Sequence, residues 1–185
     1  MDVIDITPPA IEPVSLTRAK LFLRVEHDAE DALIADMIRT ARTRVETYLG
    51  ASLMTRQRRI KLDVCGDKLL INHRPVKSVD AIAFIKDDGG AETLSADQYQ
   101  VNLRAQPARV LISSDVLPRT SNQDLSHVEI DITAGYGSSE TDIPTPLTQA
   151  ILLLIAQSYE RGESLGVDIP MMVQALLMPY RGLRL

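Results

Sequence analysis

The segment Val45–Val64, VETYLGASLMTRQRRIKLDV, carries the change of hydrophobic period on which the fold turns. Up to Leu49, apolar residues recur every four positions. Leu33, Met37, Ala41 and Val45 form the series and Ile34, Ile38, Tyr48 and Leu49 widen it, the pattern of an amphipathic helix. Gly50 suits the stop, because glycine takes the left-handed backbone that ends many helices. From Met54 the period becomes two. Ile60, Leu62 and Val64 alternate with Arg59, Lys61 and Asp63, which predicts a strand with one wet face.

Upstream, Asp28 and Asp31 form a weaker variant of the capping box and predict a helix over Asp28–Leu49. Its acidic residues sit at the positive end of the helix dipole, and Arg39, Arg42 and Arg44 follow later. Ser15 and Thr17 offer acceptors for a preceding short helix that ends near Val25, with Leu16, Ala19, Leu21 or Phe22, and Leu23 on its buried side. Thr7-Pro8-Pro9 and Glu12-Pro13 keep residues 1–14 as an extended arm.

Downstream, a turn at Cys65-Gly66-Asp67 leads to strands at Leu69–Ile71, Val79–Lys86, Tyr99–Leu103, Arg109–Ile112 and Val128–Thr133. Asp87-Asp88-Gly89-Gly90 reads as a hairpin turn, since its glycines permit positive φ. Ala134-Gly135-Tyr136-Gly137 ends the strand series, with Tyr136 expected against a helix. A helix then begins at Pro144 or Pro146 and stops at Gly162. Leu147, Ile151, Leu154 and Ile155 line one side and Leu152, Leu153 and Ala156 the others, so burial is expected nearly all round. A last helix runs from about Pro170 until Pro179 interrupts it, with Met171, Met172 and Met178 expected as adaptable core filler. The fold class is α+β. Residues 15–50 and 144–178 form a helical bundle split by a β-rich insertion, 51–143, of small antiparallel sheet or barrel form, and 179–185 are a tail.

The 185 residues are 45% hydrophobic and 24% charged, a folded rather than disordered composition. A net charge of −5 gives no global attraction to nucleic acid. The single cysteine, Cys65, excludes an intramolecular disulfide framework and reads as a small, partly buried side chain beside a turn. The longest apolar run, Ile151–Ala156, is far short of a membrane span, and the first residues have no secretory signal pattern.

Chemistry-bearing constellations are scarce. His27, His73 and His127 are far apart and lack metal-ligand spacing, so neither a metal nor a cofactor is expected. Ser126-His127 with Asp124 suggests a nucleophile set, but neighbours on a strand point to opposite faces, which should keep serine and imidazole apart. Gly135-Tyr136-Gly137 lacks the third glycine of a dinucleotide fingerprint. Arg56, Arg58, Arg59 and Lys61 make one basic strip, read either as a solvated strand face or as a phosphate-facing patch for DNA. The residues support a non-enzymatic interaction protein.

An ordered set of short stretches resembles the small head–tail connector, or adaptor, proteins of tailed phages, prophages and gene transfer agents. They are Leu16–Val25, Glu30–Ile34, Val45–Gly50, Arg74–Val79, Ile132–Gly137, Ile143–Leu147, Gln149–Leu154, Tyr159–Arg161 and Ala175–Arg181. The absence of tryptophan departs from many relatives and bears on subfamily. The resemblance implies a subunit without catalytic activity, made in the bacterial host cytoplasm and placed at the head–tail junction of a virion or phage-like particle. It further implies a ring of about twelve copies below the portal protein. Its other partners would be a tail-completion or stopper protein and the DNA that passes through the lumen. By the same analogy Pro179, Tyr180, Arg181, Leu183, Arg184 and Leu185 form a portal-binding tail, for which aromatic and arginine anchors are suitable chemistry.

Overall fold

The computed structural model describes residues 2–63, 66–117, 125–161 and 169–182. It is an α+β chain in two compact units of interleaved sequence: Met1–Pro8 with Thr55–Gly135, and Pro9–Met54 with Tyr136–Leu185. Among the described residues no helix is long and apolar enough to cross a membrane.

The second unit is helical, with α1 (Leu16–Leu23), α2 (Asp31–Leu49), α3 (Thr145–Arg161) and α4 (Met171–Leu177). Ile34, Ile38, Ala41, Val45 and Leu49 of α2 form one core with Leu147, Ala150, Ile151, Leu154 and Ile155 of α3 and Val173 and Leu177 of α4. As expected from its apolar composition on every side, α3 has no exposed residue between Leu147 and Tyr159. Gly50 ends α2 at φ 63°, its amide capping the carbonyls of Glu46 and Thr47.

Three expectations fail here. The α2 helix starts at Asp31 rather than Asp28, and its N-cap Glu30 makes no side-chain cap. The carboxylates read as a capping box are taken by Lys20 of α1, whose Nζ lies 2.6 Å from both Asp28 Oδ1 and Asp31 Oδ1. Leu21 and Leu33 are exposed rather than buried, because each lies off the face marked by Ala19 or by Ile34 and Ile38, and Phe22, the alternative to Leu21, is exposed as well. The third concerns the methionines: Met171, Met172 and Met178 are 86%, 63% and 74% exposed. On so short a helix Val173 and Leu177, one turn apart, occupy the only buried side.

A buried carboxylate organises the exit from α2. Glu46 accepts the Leu53 amide at 2.8 Å and Arg42 Nη1 at 2.8 Å, while Arg42 Nε binds Glu12 at 2.7 Å. Burying this charge is tolerable because it is paired and hydrogen-bonded.

Among the described residues the first unit holds eight strands in two antiparallel sheets: β1 (Asp2–Asp5), β2 (Arg56–Leu62), β3 (Lys68–Ile71), β4 (Val76–Lys86), β5 (Ala91–Thr93), β6 (Tyr99–Asn102), β7 (Ala108–Ile112) and β8 (Leu125–Ala134). One sheet runs β1-β2-β8-β4-β5 and the other β3-β7-β6. Their inner faces share one core of Ile60, Ile82, Phe84, Val128, Ile130 and Ile132 with Leu69, Ile71, Val110 and Ile112. The described strands form two open sheets rather than a closed barrel, since neither strand order returns on itself. The hairpin between β4 and β5 is as expected, with Gly89 at φ 84° and Lys86 donating to the Gly90 carbonyl at 2.8 Å. Cys65 and Val64 lie outside the described residues.

At the end of β8, Gly135 adopts φ 134° and Tyr136 packs against the helical core, its amide bonded to the Leu53 carbonyl at 2.9 Å. The Asp142 side chain occupies the space where a Cβ on Gly137 would lie. Asp142 is held there as the partner of Ser139, whose amide it accepts at 2.9 Å.

Candidate functional site

The basic strip is one run in sequence but two surfaces in space. Strand alternation puts Arg56 and Arg58 on the face of Ile60 and Leu62, and Arg59 and Lys61 on the opposite face. Each pair is met by carboxylates from a neighbouring strand.

On the inner side, β1 brings Asp5 opposite Arg58 in register. Asp5 Oδ1 lies 2.9 Å from Arg56 Nε and 2.7 Å from Arg58 Nε. Arg56 is buried, its side chain only 2% exposed. His73, also buried, has Nε2 3.5 Å from Arg58 Nη1. On the outer side, the register sets Arg59 against Asp131 and Lys61 against Glu129. Arg59 donates to Asp131 through Nε at 2.7 Å and Nη2 at 2.8 Å, and its Nη1 lies 3.0 Å from Glu129. Lys61 Nζ is 3.1 Å from Glu129, and His127 Nε2 is 3.4 Å away.

The electrostatics follow from these contacts. The Asp131 hydrogen bonds hold the Arg59 guanidinium more firmly protonated than an ordinary arginine, against the opposing effect of burial. Burial pushes the Glu129 carboxyl up, but hydrogen bonds from Lys61 and His127 and the charges of Arg59 and Lys61 outweigh it and bring it below the ordinary value. A phosphate approaching this face would therefore compete with carboxylates already in place, and little counterion release is left to drive binding.

The separation expected of Ser126 and His127 is overturned. Ser126 Oγ lies 3.1 Å from His127 Nδ1. The cause is an irregularity in pairing: Ile85 faces His127 and Lys86 faces Leu125, so Ser126 is the extra residue of a bulge. A bulge breaks the alternation that would otherwise point neighbours apart. Asp124 lies outside the described residues. Glu129, which holds the far side of the imidazole, is shared with Arg59 and Lys61. Among the described residues no group of histidine, cysteine and acidic side chains has the geometry of a metal site.

The C-terminal candidate residues lie in the helical unit. Pro179 and Tyr180 belong to a single 3-10 turn, Met178–Tyr180, that follows α4. Tyr180 is partly buried against the helical core. The Arg181 guanidinium stacks on the ring of Tyr48 in α2, 4.8 Å from its centroid. Pro179 and Arg181 are exposed, next to the exposed Met178. Leu183, Arg184 and Leu185 lie outside the described residues.

Sequence reading missed the partners rather than the cations. Asp5 meets the cations of one face and Glu129 and Asp131 those of the other, and Tyr48 anchors Arg181. The alternating acids of β8 were a usable signal, since they complement the alternating bases of β2 in one register only.

A family model described as phage gp6-like head-tail connector protein matches residues 13–106. Among solved structures, the chain is similar to one described as the neck of an empty GTA particle computed with C6 symmetry. The TM-score is 0.80 at 25% identity, over 100% of this chain and 97% of the other. It is also similar to a chain in the virion of a native gene transfer agent (GTA) particle, with TM-score 0.79, 26% identity and the same coverage. A third, in the neck of a native GTA particle computed with C12 symmetry, gives 0.73 at 26% identity, again over 100% and 97%. No curated protein matches the sequence.

Proposed function

The chain belongs to the phage gp6-like head-tail connector family, and we propose that it is a structural adaptor subunit that forms a ring below the portal and joins a DNA-filled capsid to its tail. The observation that carries this reading is likeness over the full length of the chain to subunits of particle necks described with C6 and C12 symmetry. In this reading the helical unit builds the ring, DNA passes through the lumen, and a tail-completion protein docks on the far side. The chain acts at the head–tail junction, by contact rather than catalysis.

The portal-facing element is the C-terminal segment from Pro179 to Leu185. Its support is an exposed rim of Met178, Pro179 and Arg181 on a base fixed by Tyr180 and Tyr48. Such a pre-ordered anchor loses less conformational entropy on docking than a free tail. The competing reading, a DNA-binding strip of Arg56, Arg58, Arg59 and Lys61, is disfavoured by the carboxylates that already meet all four cations.

The test is binding to the portal protein by full-length chain and by chain ending at Met178, with melting temperature as the control for folding. Loss of binding only in the truncated chain supports the assignment. Equal binding by both removes the tail assignment, and no binding by the full chain removes the adaptor reading.

A further inference from the structure

The N-terminal strand lies at one edge of its sheet and has a specific seat there. Strand β1 is the outermost of its sheet and pairs with β2 alone. Of its four residues only Val3 is even partly buried. Its hold is a backbone ladder, extended by the Ile6 amide on the Gln57 carbonyl at 3.1 Å, together with the Asp5 carboxylate shared by Arg56 and Arg58. The seat is therefore a strand edge with two guanidiniums placed to read one acid. Any strand carrying an acid in this register satisfies it, and backbone pairing makes the edge a template for addition.

The connection from this strand is just as distinctive. The chain leaves the β unit at Pro8 and enters the helical unit at Pro9. The link is Pro8-Pro9, which restricts the backbone between bends at Ile6–Thr7 and Ala10–Ile11. Ile4 of the strand and Ile6 just after it are 48% and 44% exposed, and Ile11 beyond the prolines is 44% exposed. An edge strand with an exposed apolar residue, joined through prolines to the rest of its chain, can trade its own seat for an identical one without losing any contact.

We propose that in the assembled ring β1 is exchanged between neighbours, the strand of one copy lying on β2 of the next with its Asp5 between that copy's Arg56 and Arg58. The proposal rests on the ring reading given above and names the contact that would tie the copies together. The occupant is a second copy of this chain, because the seat's ladder, register and arginine pair are those its own arm already fits.

The register supplies the test. Asp2 faces Lys61 on the two strands. Paired residues of antiparallel strands lie about 4.5–5.5 Å apart between Cα atoms, within disulfide reach. The full-length chain with Asp2→Cys and Lys61→Cys, in a Cys65→Ser background, is incorporated into particles, oxidised and run without reductant. Exchange predicts a ladder of covalent multimers that collapses to monomer on reduction. Monomers with an internal disulfide, or no disulfide, overturn exchange and leave the ring reading standing. Absence of the chain from the particle neck, with the unsubstituted chain as control, overturns both. The second register pair, Ile4→Cys with Arg59→Cys, gives the same reading should the first variant fail to fold.

Discussion

Arg59 and Asp131 meet across β2 and β8 in a two-point ion pair, with Nε to Oδ1 at 2.7 Å and Nη2 to Oδ2 at 2.8 Å. This geometry is the strongest that an arginine and a carboxylate make, because both donors and both acceptors are used in one plane. It commits a cation that sequence alone leaves available to phosphate.

The free chain should therefore not retain duplex DNA at physiological ionic strength. The double substitution Glu129→Gln and Asp131→Asn releases Arg59 and Lys61, and should produce weak binding with a log–log salt slope of about −2. Fluorescence anisotropy across a salt series measures it. Binding by the unsubstituted chain would restore the DNA reading.

The depressed Glu129 carboxyl makes the β unit acid-sensitive. A carboxyl held below its ordinary value of 4.5 contributes stability that is complete above that value and disappears as pH falls through the lowered one. Melting temperature should fall more steeply below about pH 4.5 for the natural chain than for Glu129→Gln, which has no proton to take up. Equal acid limbs in thermal melts would remove Glu129 as the source.

Gly137 is required by its neighbour. Because Asp142 occupies the position of a Cβ, Gly137→Ala should cost about 1–3 kcal/mol as the loop shifts. Denaturant titration measures the loss. Gly66→Ala meets no side chain, so its cost should come only from the positive φ of 79°.

The methionines of α4 separate surface from core. Replacing Met171, Met172 or Met178 by Gln should change stability by no more than about 0.5 kcal/mol each, since all three are exposed. Leu177→Ala, in the helical core, should cost about 2–5 kcal/mol. Portal binding is the second reading: Met178→Gln should weaken it if the rim beside Pro179 and Arg181 is a contact.

The long-range partners of the candidate sites were not legible in the same way as the elements. The α2 period, the Gly50 stop, the Gly89 turn and the alternation of β8 are each written in residues a few positions apart, and each appears in the fold. The Asp28–Asp31 pair shows the limit. Local rules make it a cap, and a lysine on another helix claims both carboxylates instead. Ser126 and His127 show the same limit for a strand, where a bulge set by pairing with β4 cancels alternation.

By itself the sequence determined the four helices, most of the strands though not β1 or β5, the α+β class, and the ordered motifs of a connector protein. Those properties depend on period, caps and turn residues, which act within one or two turns of chain. Only the tertiary structure decided that the sheets stay open, that α4 shows its methionines, and that the basic strip is neutralised from two sides. Register between β1, β2 and β8 joins residues 53 to 78 positions apart, beyond the reach of period, caps and turn residues. The N-terminal arm holds both lessons: its prolines declare it extended, but only the sheet reveals the arginine pair that seats Asp5.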